Sequence, residues 1–459
     1  MADSSLDGLS GGQRQDQYDY SSLRIFSISE AARTHDGQVK TKGVISAILP
    51  LTKLVKSFNY ECQSCQQIKQ MPGVRWADGK PMLFQEKKMP GKCINCQNDS
   101  FDSRLEYVNA IIIEIRDADT YSDIDPLRVV LFEEDTKNVY NHLGEVVTVS
   151  GQIHTFPSQL LQQKFSSYLY AESIRYESSL ELVITDLDKE AIHRFTRLKG
   201  NGIIDSLVKL FARDVIGCEI VKKGLLLLAV STNRDINQKK INAALIGDPG
   251  LVKSTLLRRA VRLVPNSKYE SAQNSSGKSL TAIVEKEDES HILRIGPIPA
   301  AKGAICALNE IGRMHFDDQK HLLDVMQEQF FTINKHGISA RISSPTATIV
   351  SANPIDGEWK DSERIDLDEF PVLKPLVDRI DLIFVFRNKR NEHIIRNYAD
   401  SKFEFDDTLI PDYTPYLQKH IEYSKRFNPK MSDEAKFMLK EFYLLLPRIM
   451  GHQEYEKLL

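Results

Sequence analysis

No stretch of this sequence reaches the roughly 18 consecutive apolar residues that a membrane-spanning helix needs. The N-terminus carries no basic segment followed by an apolar run, so no secretory signal is visible. Only six cysteines occur in 459 residues, which excludes a disulfide framework as the source of stability. Excess basic charge is missing too: 60 Lys and Arg stand against 63 Asp and Glu, a net charge of −3. Such a chain is not drawn to nucleic acid as a whole, and any contact of that kind must come from local basic features. There is no short-period repeat and no long low-complexity tract. What is present is an ordinary hydrophobic fraction of 41%, enough for sizeable cores, in a length that suggests roughly two to four domains.

Residues 1–20 are polar and rich in Gly, Ser, Asp and Gln, the composition of a flexible tail. From 21 to 180 the pattern is β-rich. The runs TKGVISAILPL, YVNAIIIEI, LRVVLFEE and GEVVTVSGQIHTF read as strands separated by turn residues, as in a small barrel or sandwich. Residues 181–235 change period. TDLDKEAIHRFTRL opens a helix with Thr185 or Asp186 as N-cap and acidic residues in its first turn, and IIDSLVKLFARDVIG and CEIVKKGLLLLAVS also fit helices. From 236 to 400 strands and helices alternate, which predicts a layered α/β sheet. A last helical run, SDEAKFMLKEFYLLL, lies within 401–459.

The strongest local signal is ALIGDPGLVKSTLL, an apolar strand feeding a tight loop and a helix from Lys253. Backbone N–H groups of such a loop, with the helix N-terminus, make an anion site for phosphates. Gly247, Asp248, Pro249, Gly250 and Thr255 belong to this ATP-binding loop. Lys253 reaches the outer phosphates and the Ser254 hydroxyl ligates Mg²⁺. Val252 stands where the strict pattern has glycine. The bland alternative is a glycine turn followed by an incidental Lys-Ser pair. Downstream, Ala304–Leu308 reads as a buried parallel strand ending at Asn309 and Glu310, where a nucleotide hydrolase offers two acidic residues. Asn309 is neutral, which leaves Glu310 as the candidate base. Asn353 ends another apolar strand, where an amide can position water. Arg379 precedes LIFVF and is placed to act in trans on transition-state charge, or to pair with Asp378 or Asp381.

The pairs Cys62/Cys65 and Cys93/Cys96 each enclose two residues, and four thiolates so spaced suit a closed tetrahedral Zn²⁺ site in a lobe at about 60–100. Between them Lys80, Lys87, Lys88 and Lys92, with Trp76 and Phe84, form a mixed basic and aromatic stretch that fits a nucleic-acid contact or a solvated face equally. Cys218 and Cys306 lie in apolar stretches and read as core residues.

Taken together, GDPGLVKSTLL, NEIGRM, VMQEQFFTINKHGI, SANPIDGEW and DRIDLIFVFRN resemble the minichromosome maintenance (MCM) family, whose members are AAA+ replicative DNA helicases. The motifs span about 245–388, and with the β-rich half the resemblance covers roughly 23–447. It implies an α/β AAA+ P-loop module preceded by a β-rich OB-type barrel with a zinc-binding lobe. It places the phosphate-binding lysine on Lys253, the Mg²⁺-side hydroxyl on Ser254, the second acidic residue on Glu310, the sensor on Asn353 and the arginine finger on Arg379. The family's Mg²⁺-organising Asp falls on Asn309. Its pore hairpin falls on FFTINKHGISARI, with Lys335 at the tip facing DNA.

The resemblance further implies ATP, Mg²⁺ and Zn²⁺ as cofactors, single- and double-stranded DNA as partners, and a homo- or hetero-oligomeric ring, a hexamer, completed if need be by a full-length MCM paralogue. The family's second sensor arginine and winged helix fall beyond Leu459, which reads as a shortened paralogue or an incomplete gene product. The expected activity is that of an ATP-dependent DNA helicase or translocase acting in replication, with ATP hydrolysed between ring subunits. The rival is a ring subunit that binds ATP and DNA with little hydrolysis, and a more distant rival is another AAA+ machine such as a chelatase or transcription activator. The compact chain suggests an archaeal cytoplasm, or a nucleus if the source is eukaryotic.

Overall fold

The computed structural model describes residues 24–450 apart from 35–36, 73–90, 118–125, 158–164, 178–181, 234–236, 275, 288–289, 337, 361–368, 371, 373, 388–411 and 428. The tail expected over 1–20 and the residues Trp76, Lys80, Phe84, Lys87 and Lys88 lie outside the described residues.

The first half is a closed β-structure. A short strand β1 (Ile25–Phe26) and a helix α1 (Ile28–Arg33) precede β2 (Gly37–Cys62), β3 (Ile68–Pro72), β4 (Phe101–Arg116), β5 (Leu127–Phe132), β6 (Val146–Pro157) and β7 (Phe165–Glu177). The pairing runs β2–β4–β5–β7–β6, and β6 pairs β2 again, so five strands close on themselves. All these contacts are antiparallel except β5–β7. Closure leaves no free edge around the ring, and inward residues such as Ile45, Ile113, Val129, Val147 and Leu169 fill it. Helix α1 plugs one end through buried Ile28 and Ala31. Its start is fixed by a capping box in which Ser27 accepts from the Glu30 N–H and Glu30 reaches back to the Ser27 N–H.

Two differences from the sequence reading have local causes. Strand β2 runs on past Leu51, the end of the run TKGVISAILPL, because Pro50 falls in a register shift between Leu49 and Thr52. A proline without an N–H is tolerated at such an irregularity. Strand β7 escaped notice because its start, Phe165–Ser167, looks turn-like, yet Leu169 and Tyr170 are fully buried.

Helices α2 (Asp186–Lys199), α3 (Ile203–Leu210) and α4 (Glu219–Ser231) follow. Thr185 is the N-cap of α2 and forms a capping box with Asp188. Helix α3 is shorter than IIDSLVKLFARDVIG suggested, because Phe211 turns extended and Ala212 adopts a positive φ of 47°. That turn buries Phe211, Ala212 and Val215 in one core with α4.

The second half is a parallel sheet in the order β16–β8–β15–β12–β9, with β8 at Ala243–Gly247, β9 at Lys268–Ser271, β12 at Ile305–Asn309, β15 at Ala347–Ala352 and β16 at Leu382–Phe386. Along β8, Ala243 and Leu245 face one core and Ala244 and Ile246 the other. A strand buried on both faces needs such a continuous apolar run. Helices α5 (Lys253–Val261) and α10 (Thr414–Ser424) supply residues to the first core. Helices α6 (Gly277–Thr281), α7 (Pro297–Ala300), α8 (Phe316–Glu328) and α9 (Lys374–Val377) supply the second. A final helix α11 spans Asp433–Met450.

Two hairpins leave this sheet. One, β10 (Ala282–Glu287) with β11 (Ser290–Ile295), was not foreseen, and β11 pairs β2 of the barrel at Leu293↔Ile48 and Arg294↔Ala47. The other, β13 (Phe330–Lys335) with β14 (Ile338–Ser343), sends Ile338, Ala340 and Ile342 into the barrel core. The barrel and the α/β layer therefore share a sheet and a core. The contact is clasped by buried charges: Glu114 meets Arg128 and Arg294, and Lys302 donates to Glu145 at 2.6 Å and to the Asn141 carbonyl at 3.1 Å. No helix among the described residues is long and apolar enough to cross a membrane.

Candidate functional site

The site lies where parallel-sheet crevices form, past the C-terminal ends of neighbouring strands. The loop after β8 must pass close to β16: a Cβ on Gly247 would sit 2.1 Å from the Phe386 carbonyl oxygen, so only glycine fits. Gly250 turns the loop with φ 77° and has open space around it. Val252 completes the turn at φ 33°, a conformation unfavourable for a branched residue, and it stands at the N-cap of α5 without side-chain capping. The first N–H groups of α5 thus face the loop with no side chain to satisfy them.

Lys253 is buried. Its ammonium donates to the carbonyls of Gly247 at 2.7 Å and Asp248 at 2.6 Å, and desolvation holds its pKa below the usual lysine range. An incoming phosphate would take over this ammonium and turn a loop-closing bond into a ligand bond. Asp248 supports the loop from below, accepting from the Trp359 N–H at 3.4 Å, while the Trp359 indole N–H donates to the Phe386 carbonyl at 2.9 Å.

Opposite the loop, Asn309 ends β12. Its Oδ1 accepts from the Ser254 hydroxyl and from the Ser351 hydroxyl, each at 2.8 Å. Glu310 follows in the left-handed region with φ 61°, its N–H on Ser351 Oγ at 3.1 Å and its carboxylate 3.2 Å from Arg313 Nε. Pro249, Gly250, Lys253, Ser254, Thr255, Asn309, Glu310 and Asn353 all line one open cleft of 280 Å³, with Ser351 and Ala352 between them. Oxygen atoms of Ser254 and Glu310 in one place suit a hard cation accompanying a phosphate, while the Asn309 oxygen is taken up by the two hydroxyls.

Two candidates are elsewhere. Arg379 is not among the cleft's lining residues; it makes a fork onto Gln327 Oε1 at 3.0 and 2.6 Å rather than pairing with Asp378 or Asp381. Asp381 instead accepts from the Asn242 N–H at 2.8 Å. Lys335 is exposed at the end of β13, paired with Ile338 across the turn. Beside it His336 stacks on His291 of the β10–β11 hairpin, with ring centroids 4.2 Å apart. Ser351 and Arg313 were missed by the sequence reading. The signal for Ser351 was its place two residues before Asn353, which sets both on one face of an extended chain.

At the far end of β2 and β4, the sulfurs of Cys62, Cys65, Cys93 and Cys96 all lie within 4.8 Å of one another, with Cys62–Cys96 at 3.4 Å and Cys65–Cys93 at 3.6 Å. These are far above the S–S bond length of about 2.05 Å and near the roughly 3.8 Å edge of a tetrahedron with ~2.3 Å metal–sulfur bonds. Backbone N–H groups of Cys65 and Ser64 aim at Cys62 and pull its thiol down to about 6, which favours the thiolate that binds metal. Cys306 is buried as expected, in the core shared with Ala244 and Ile246, and Cys218 is half-buried against the other core, that of Ala243 and Leu245.

Comparison with known proteins adds independent findings. Residues 188–402 match the MCM P-loop domain. The DNA replication licensing factor MCM4 of Drosophila melanogaster is 25% identical over 402 residues, covering 78% of this chain and 46% of that protein. The licensing factor mcm6 of Schizosaccharomyces pombe is 31% identical over 246 residues, 51% of this chain and 28% of its own length. MCM6 of Arabidopsis thaliana is 31% identical over 259 residues, 53% and 31% of the two chains. The chain thus spans less than half the length of these relatives. All three are eukaryotic proteins, so the expectation of an archaeal cytoplasm finds no support.

Proposed function

The chain belongs to the MCM family, and from that premise we propose that it is an ATP-dependent DNA translocase subunit acting in replication. The observation that carries this reading is the convergence of Lys253, Ser254, Asn309, Glu310 and Asn353 on one cleft behind a loop in which only glycine fits at 247. Such a cleft is open to solvent on one side. A neighbouring subunit that covers the exposed side would complete it. Arg379, outside the cleft, is the residue to be supplied that way, within a hexameric ring.

In this reading Lys253 and the α5 N–H groups hold the phosphates. Glu310 accepts the proton of the attacking water and Asn353 orients that water. The P-loop MCM domain implies Mg²⁺ with the nucleotide; Ser254 is the residue that would ligate it, and the ion would supply charge neutralisation for the phosphates. Lys335 grips DNA phosphates without regard to sequence. We read the closed five-stranded barrel, with its single parallel contact, as OB-type. The four-thiol cluster is its zinc lobe, and the nucleus is its compartment, as for licensing factors in eukaryotes. A full-length paralogue is the expected ring neighbour.

One observation favours a second reading. Asn309 carries no charge, and its oxygen is already engaged by two hydroxyls, so the chain is then a ring subunit that binds ATP and DNA but hydrolyses slowly. Steady-state phosphate release with and without single-stranded DNA, on assembled rings, separates them. DNA-stimulated turnover that falls in Glu310→Gln supports the translocase. Slow turnover that rises in Asn309→Asp supports the slow subunit. A wild type that is silent both alone and with a full-length paralogue, and stays silent as Asn309→Asp, contradicts both.

A further inference from the structure

Glu310 is the one carboxylate among the residues lining the cleft, and it is held by Arg313 at 3.2 Å. The rest of the metal side is neutral. Ser351 is what fixes that neutral side. Its oxygen accepts the Glu310 N–H at 3.1 Å, and its hydroxyl donates to Asn309 Oδ1 at 2.8 Å. Ser254 donates to the same oxygen at 2.8 Å. An amide has an acceptor end and a donor end, and two hydroxyls on the oxygen fix which is which. The Asn309 Nδ2 group is left with no hydrogen-bond partner among the described residues, on a side chain that lines the cleft. A carboxylate here would offer only acceptors and would favour a cation. The amide as held offers N–H donors, which favour anionic oxygen.

We propose that Ser351 orients Asn309 so that its Nδ2 donates directly to a nucleotide phosphate oxygen, and that the site therefore binds nucleoside triphosphate with little dependence on Mg²⁺. The inference rests on the nucleotide reading of the cleft. Its logic is linkage: a protein that contributes little to Mg²⁺ binding gains little nucleotide affinity from Mg²⁺, because the coupling is reciprocal. Ser351 is a positioning residue, acting through Asn309.

The test is equilibrium binding of a fluorescent ATP analogue to the full chain, in Mg²⁺ and in EDTA. The wild type should lose no more than about threefold in affinity on removing Mg²⁺, whereas Asn309→Asp should lose about thirtyfold or more, a difference of order one decade in Kd. Ser351→Ala frees the amide to rotate and should weaken binding in EDTA more than in Mg²⁺. Ser351→Thr keeps the hydroxyl and should restore the wild-type ratio, which a merely structural role for Ser351 would not produce selectively. If the wild type loses as much affinity in EDTA as Asn309→Asp does, the proposal is overturned while the nucleotide site stands. If no nucleotide binds in either buffer, the nucleotide reading itself fails.

Discussion

Replacing Glu145 by Gln should loosen the clasp between the barrel and the α/β layer by an amount that depends on pH. Glu145 accepts from Lys302 Nζ at 2.6 Å and sits 2.7 Å from His142 Nδ1, with its side chain only 14% exposed. Burial alone would raise its pKa, but the His142 hydrogen bond and the Lys302 charge outweigh it and bring the carboxyl from 4.5 to about 2. A drop of that size corresponds to roughly 3 kcal/mol of folding stability. Because the folded-state value is depressed, the contribution is complete above about pH 4.5 and is lost as pH falls toward 2. Urea unfolding of wild type and Glu145→Gln should therefore differ by about 3 kcal/mol at pH 7 and by roughly half that at pH 3. Lys302→Met leaves the carboxylate buried without its cation and should cost about 3–5 kcal/mol at pH 7. A gap between wild type and Glu145→Gln that stays constant from pH 7 to pH 3 would refute the reasoning, as would one too small to measure at pH 7.

Metal analysis should find about one Zn per chain, held by the four sulfurs; Cys93→Ser should release it and expose residues around 60–100 to protease, and a metal-free wild type of equal protease resistance would end that idea. Gly247→Ala drives a methyl group against the Phe386 carbonyl and should cost about 1–3 kcal/mol in thermal unfolding together with nucleotide binding. Gly250→Ala has open space and pays only for its positive φ of 77°, so it should cost about 1 kcal/mol. Equal effects of the two glycine changes would contradict the placement of the loop against β16.

The phosphate loop was legible because its chemistry is local: Gly247, Gly250, Lys253 and Ser254 fall within one turn, and the strand before it announces itself by its apolar run. The α2 cap at Thr185 was legible for the same reason. What escaped was non-local. The β10–β11 hairpin carries the short apolar pairs Ile283–Val284 and Ile292–Leu293, but its pairing with Ile48 of β2 joins residues far apart in sequence, and nothing in either segment names the other. Ser351 looked like one more small residue in SANP, and its meaning depends on Asn309 lying on the adjacent strand. For Arg379 the sequence offers an ion pair with a neighbouring Asp as the alternative to a role in trans, whereas α8 brings Gln327 to it from another part of the chain.

The central claim is that the Gly247–Thr255 loop is a nucleotide site organised around Lys253. Calorimetric titration of ATP into wild type and Lys253→Ala tests it most directly, with circular dichroism confirming that both are folded. The account predicts binding to the wild type and a loss of about tenfold or more in affinity for the variant, since a buried ammonium on phosphate is a charge-assisted contact worth at least ~1.4 kcal/mol. Equal affinity in the two proteins, or no heat of binding in either, would contradict it.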